Sequence, residues 1–441
     1  MPKYFEKRQP KHSLSGINFL KSVSLHADSV KPRVYQFNQR SRENKSKKPL
    51  IATFLMLITT FLSLLLIFCK YFSLNLFSNL PREEIISQTT NSAELMELPM
   101  DQNPQKSLPP CFQDGQSLYQ RQTPNNKFGM YMVVDSATLS MEKQITEIAN
   151  LINSNGGDWG YVLYPLWINN LEEKEWETFF NLAKENHLIP IIQLHPYQYD
   201  QDYLFSQLAK TASFLNSFSW PSSCWIVTVF NETNAKDFWG ENIDPEGYAR
   251  VLAKAMEIFK EENENFFILN SGFNSSSRSG PRYLDEEEYL IRMDEAVPGI
   301  FEKLDGWASH PYPQPEFSGD FHNPPSWYET RDQISAYKWE MDLLKNYFGV
   351  ENLPVFLTET GWAHKEGEQP KWQYKSAAIT AQYFDDVFQN VWLPDKRVVA
   401  IIPFIFNHAS FSNFNWMTIE GYCYPQCDVV KKIEKVAGSP I

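Results

Sequence analysis

Eight short apolar runs recur along residues 127–441, and this repeat constrains the fold more tightly than any other feature of the chain. The runs occupy 128–134, 160–165, 189–195, 225–231, 266–272, 306–312, 354–360 and 398–406, with successive starts 29 to 48 residues apart. They are near-continuous rather than alternating, as strands of a parallel sheet covered on both faces must be. Amphipathic stretches separate them. Trp176, Phe179, Phe180 and Ala183 follow helical spacing in one, and Ala377, Ala378, Ala381, Phe384, Val387 and Phe388 follow it in another. The acidic run 285–288 opens the fifth stretch, where negative charge suits a helix N-terminus. Eight β-α units over these residues predict an α/β fold, a (β/α)8 TIM barrel. A doubly wound open sheet is the competing arrangement, but no G-x-G-x-x-G follows the first strand.

The chain before the barrel is different in kind. Residues 1–50 hold twelve Lys/Arg against three acidic residues, a net of +9, whereas the whole chain carries −13. The other 391 residues therefore sum to −22, which excludes a uniformly basic nucleic-acid binder. Residues 51–69 form a stretch of nineteen without a charge, about 28 Å as a helix and close to the thickness of a bilayer core. Lys45, Lys47 and Lys48 precede it and only Lys70 and Arg82 follow closely, so the positive-inside rule puts the N-terminus in the cytoplasm. A cleaved signal peptide would need a charged region of about 50 residues and an A-x-A-like site, and the chain lacks that site. The expected organisation is a disordered basic cytoplasmic tail (1–48), a transmembrane signal anchor (49–71), an extracytoplasmic stalk (72–126) and the barrel domain (127–441). The lipid bilayer is then one partner, through residues 51–69, and the protein is single-pass type II.

Chemistry in such barrels sits at the C-terminal ends of the strands. The fourth run ends in Asn231 and Glu232, the seventh in Glu359, Thr360, Gly361 and Trp362. Two glutamates that directly follow buried runs would face each other across the barrel mouth. An unpaired carboxylate there is costly, so the pair calls for a function. Glycoside hydrolysis supplies one, because it needs a protonated carboxyl at the leaving oxygen and an ionised one at the anomeric carbon. The sixth run ends His310-Pro311-Tyr312 and the third ends His195-Pro196-Tyr197.

These strand ends resemble the clan A retaining glycoside hydrolases, the cellulase-like barrels of families 5 and 39. The resemblance spans residues 127 to about 436 and rests on motifs that are short singly and specific jointly. It implies a double-displacement mechanism with Glu232 as acid/base and Glu359 as nucleophile. By the same resemblance Asn231 would bind the sugar 2-hydroxyl, Tyr312 would hydrogen-bond Glu359, His310 would line the site near Glu232, and His195 would contact substrate. The implied partner is an oligo- or polysaccharide with β-linkages outside the cytoplasm. A catalytically inactive carbohydrate-binding barrel is the alternative.

The chain departs from the family at two places. No Arg ends the second run (Tyr164-Pro165-Leu166-Trp167), and the Trp expected at the end of the eighth run is displaced to Trp416. Trp416, Phe406 or His408 could each supply the platform that stacks on the sugar. Trp167, Trp239 and Trp362 are further platform candidates in strand-end loops. Asn231-Glu232-Thr233 and Asn274-Ser275-Ser276 match the glycosylation sequon, but a glycan on Asn231 would block the site. No metal or cofactor is expected, since His195, His310, His364 and His408 lack metal-ligand spacing. In an oxidising compartment Cys423 could pair with Cys427, or either could link to Cys111.

Overall fold

The computed structural model describes residues 124–325 and 329–440. The basic tail, the apolar span and all but the last three residues of the stalk lie outside the described residues. Among the described residues no helix is long and apolar enough to cross a membrane.

All eight apolar runs contain a strand: β1 (Gly129–Tyr131), β2 (Gly160–Trp167), β3 (Leu188–His195), β4 (Trp225–Thr228), β5 (Phe266–Leu269), β6 (Trp307–Ser309), β7 (Val355–Thr360) and β8 (Val398–Pro403). Every ladder is parallel, in the orders β1-β2-β3-β4-β5 and β6-β7-β8. Single parallel bridges join the two sets: Leu269 to Gly306 and Phe273 to Ser309 put β5 beside β6, and Phe128 to Ile401 puts β1 beside β8. Each strand is followed by a helix: α1 (Met141–Ile152), α2 (Glu173–Glu185), α3 (Gln201–Asn216), α4 (Pro245–Glu262), α5 (Glu286–Ala296), α6 (Tyr337–Phe348), α7 (Ala377–Val387) and α8 (Pro425–Lys432).

Two apolar layers follow from the pleat. Tyr161, Leu163, Ile189, Ile191, Ile226, Phe267, Phe356 and Ile402 pack inside the strands, and the alternate residues pack outward under the helices. The helical periods place Trp176, Phe179, Phe180 and Ala183 in the core, as their spacing requires. Ala378 is exposed, because it lies one position off the buried stripe of α7. Asp285 caps α5 by accepting from the Glu287 N–H, whereas its neighbour Glu286 turns fully inward. Cys224 is disulfide-bonded, and Cys423 and Cys427 are free thiols, so of the pairings left open for them neither is formed; Cys111 lies outside the described residues.

Candidate active site

The strands β4 and β6 end before their apolar runs do, so Asn231, Glu232, His310 and Tyr312 lie past the last ladder pairs, whereas Gln193 and Glu359 lie within β3 and β7. After Thr228 the chain leaves β4 with left-handed backbone at Phe230 (φ 75°) and Glu232 (φ 39°), a conformation that costs on the order of 1–3 kcal/mol at a residue with a side chain. Surrounding bonds hold it: the Glu232 N–H donates to the carbonyls of Ser271 and Gly272, and the Tyr248 hydroxyl donates to the Val229 carbonyl. Gly272 itself has φ +59°, and a Cβ there would come within 2.3 Å of His310 Nε2. The glycine lets the β5 loop approach the histidine.

Glu232 and Glu359 meet with His310 so that one carboxylate oxygen of each and one imidazole nitrogen all lie within 4.8 Å of one another. His310 Nδ1 is 3.2 Å from Glu232 Oε1 and 4.0 Å from Glu359 Oε2, and its Nε2 is 3.0 Å from Thr358 Oγ1. The Tyr312 hydroxyl donates to Glu359 Oε2 at 3.2 Å. A divalent cation could also use this set of donors, which among the described residues is the one cluster of its kind.

Gln193, on β3, organises the floor. Its Oε1 accepts from the Tyr131 hydroxyl at 2.6 Å and lies 3.0 Å from His195 Nε2, while its Nε2 donates to Asn231 Oδ1 at 3.0 Å and to Glu359 Oε1 at 3.5 Å. Burial holds His195 neutral by lowering its pKa to about 3, and a neutral ring can donate from Nε2. Two donors on one oxygen fix which way the Gln193 amide faces. Asn231 Oδ1 thereby has a donor, and Asn231 lines the cavity.

The charges are coupled. Burial pushes the Glu359 carboxyl up, His310 pulls it down, and the negative charge of Glu232 raises it again; the balance leaves it above its ordinary value. Burial disfavours charge on His310, but Glu359 and the hydrogen bond to Glu232 overcome it and raise the imidazole's pKa. Tyr312 and Tyr131 are pushed well up, by burial first and by Glu359 second, and stay protonated donors.

A cavity of about 490 Å³ opens over the pair, lined by Asn231, Glu232, Tyr312 and Glu359 at its floor. Its walls include five phenylalanines, Phe238, Phe317, Phe404, Phe411 and Phe414. Phe404, which directly follows β8, packs edge-on to Tyr131 at 5.0 Å and to Phe411 at 5.2 Å. Of the expected site residues, Asn231, Glu232, Tyr312 and Glu359 line the cavity, and His310 stands behind the pair. His195 lies below Gln193 with its ring 4.8 Å from Trp167, and neither is among the lining residues.

The tryptophans are placed otherwise than expected. Trp416 packs on Phe384, Trp362 packs on Tyr383 and Phe384 and donates to the Gly319 carbonyl, and Trp239 packs on Phe230 and Tyr248. All three are buried in the core. Phe406 and His408 are also fully buried and absent from the lining, so the aromatic wall is Phe404 with its neighbours. Reasoning from the sequence misses Gln193 and the phenylalanines. The available signals are one amide in the apolar run 189–194 and four phenylalanines along 404–414, of which Phe404, Phe411 and Phe414 line the cavity.

No family model matches the chain, and no curated protein matches it in sequence. Solved structures with some similarity include a fungal β-1,4-galactanase (16% identity, 69% of this chain and 99% of that one, TM-score 0.46). They also include Thermotoga maritima Cel5A in complex with mannotriose (12%, 69% and 98%, TM-score 0.43). A third is an endo-β-1,3-glucanase of Amycolatopsis mediterranei (11%, 70% and 99%, TM-score 0.40). The geometry of the site carries its functional reading.

Proposed function

We propose that the described domain is a (β/α)8 glycoside hydrolase that cleaves a β-linked glycan with retention of configuration. The observation that carries this reading is the carboxyl pair: Glu232 and Glu359 present oxygens within 4.8 Å of each other at the floor of one aromatic cavity. Retaining enzymes hold their two carboxyls about 5–5.5 Å apart, whereas inverting enzymes need about 6.5–9.5 Å to admit a water. In the first step the Glu359 carboxylate attacks the anomeric carbon while the Glu232 carboxyl gives its proton to the departing oxygen. A glycosyl ester forms on Glu359 and the aglycone leaves as an alcohol. In the second step Glu232, now ionised, takes a proton from the water that attacks the same carbon, and Glu359 is released. Donors support this division of labour: Tyr312 and Gln193 both direct N–H or O–H groups at Glu359, which favours its charged form as the sugar arrives. Asn231, which lines the cavity beside the pair, would donate to the 2-hydroxyl.

We further propose that residues 51–69 anchor the chain in a membrane and that the hydrolase faces the extracytoplasmic side. The support is the uncharged span with cations on its N-terminal side.

Proton NMR of the first turnovers tests the mechanism. Full-length protein acting on a β-glycoside should release the β-anomer first. Initial appearance of the α-anomer would mean direct displacement by water and would remove Glu359 from the role of nucleophile.

A further inference from the structure

Trp372 is 87% exposed, on the loop that follows β7, between Lys371 and Tyr374, which both line the cavity. A single exposed tryptophan on a surface has no meaning by itself. This one sits on a backbone that is fastened on every side. Lys365 N–H donates to the Lys375 carbonyl at 2.8 Å, and the Glu368 N–H donates to Ser412 Oγ at 2.9 Å. The Gln369 N–H donates to Asn413 Oδ1 at 3.1 Å, and Lys371 is paired with Glu316 from the β6 loop. Gly367 lies so close to Asn413 that a Cβ would come within 2.3 Å of its backbone nitrogen. The indole itself makes no ring contact among the described residues. The loop is therefore held in place while its largest side chain is left in water, which core packing does not explain.

We infer that Trp372 is an outer sugar-binding platform, so that the substrate is a chain extending beyond the cavity rather than a single glycoside. The inference rests on the proposed glycan-cleaving reading and adds to it the length of the substrate. The apolar face of a pyranose stacks on indole, and a ring already fixed by its loop loses little entropy when it does so. Gln369 and Ser410, on the cavity wall beneath, supply neutral polar groups, and the Lys371 charge is matched by Glu316. A neutral chain suits this arm.

The test compares wild type with Trp372→Ala in full-length, detergent-solubilised protein. The probes are β-1,3- and β-1,4-linked gluco-, galacto- and manno-oligosaccharides of two to six units, with oligogalacturonates as the anionic series. Affinity is read by calorimetry, and kcat/KM wherever cleavage occurs. Wild-type affinity for one neutral series should rise with length, and Trp372→Ala should cut the gain of the longest member over the shortest by about tenfold. Tyr422→Ala, an exposed aromatic outside the cavity lining, should keep the gain. The same length dependence in Trp372→Ala and wild type overturns the platform, and tighter binding of the anionic series overturns its neutral preference. Length-dependent binding without cleavage of any probe would count against the hydrolase reading and leave the platform standing.

Discussion

At Glu359 the fraction ionised depends on a balance in which His310 is a counterweight of opposite charge. The carboxyl is raised by burial and by Glu232 and lowered by His310. A nucleophile must be ionised, so activity is lost as pH falls through this raised pKa, and the acid limb of kcat/KM lies above the range of an ordinary carboxylate. His310→Asn removes the cation, and the limb is expected to move to higher pH with kcat at its optimum lowered about 10-fold or more. A limb that stays in place or moves down would show that His310 does not set the charge of Glu359. His310, Glu232 and Glu359 are legible in the sequence because each ends a run too apolar to hold it for packing alone. Gln193 is not, because an amide in IPIIQL has the same letters whether it faces a site or a structural partner. Only the pleat and the neighbours Tyr131 and His195 give it a role.

On the scale of elements, α5 and α6 meet at a second pair of acids. Glu286 and Glu340 are both fully buried; burial raises both carboxyls, Glu340 to about 7, and Glu340 Oε2 accepts from Trp307 Nε1 at 3.1 Å. A carboxyl whose folded pKa is raised favours its neutral form, so its contribution to stability is full below about pH 4.5 and is lost as pH rises through about 7. Glu340→Gln keeps the acceptor for Trp307 and removes the Glu340 titration, leaving that of Glu286. The variant should match wild type at pH 4.5 and exceed it at pH 8, by on the order of 3 kcal/mol, as read by urea unfolding. Equal stability at both pH values would mean that the pair stays ionised without penalty. The acidic run 285–288 reads as a complement to a helix N-terminus, and Asp285 and the exposed glutamates serve as one. Sequence spacing alone does not show which of four consecutive acids faces inward. The same loss of direction explains the tryptophans: Trp239, Trp362 and Trp416 follow strand ends in sequence but turn back under the helices. The eight strands are plain in the sequence, because burial on both faces writes a continuous apolar run.

The whole molecule divides charge and apolar length between its two ends. A +9 segment precedes the uncharged stretch 51–69, and the rest of the chain is acidic. Removal of residues 51–69 should shift the protein from the carbonate-washed membrane pellet to the soluble fraction; continued retention in the pellet would place the anchor elsewhere. In the proposed reaction one carboxylate near the end of β7, that of Glu359, forms a bond to sugar. Incubating full-length protein with activated 2-fluoro-β-glycosides and sugar-epoxide probes, then mapping peptides by mass, tests it most directly. The expected result is a glycosyl ester on Glu359 that is absent in Glu359→Gln. An adduct on Glu232 alone, or none from any probe while oligosaccharides still bind, would contradict it.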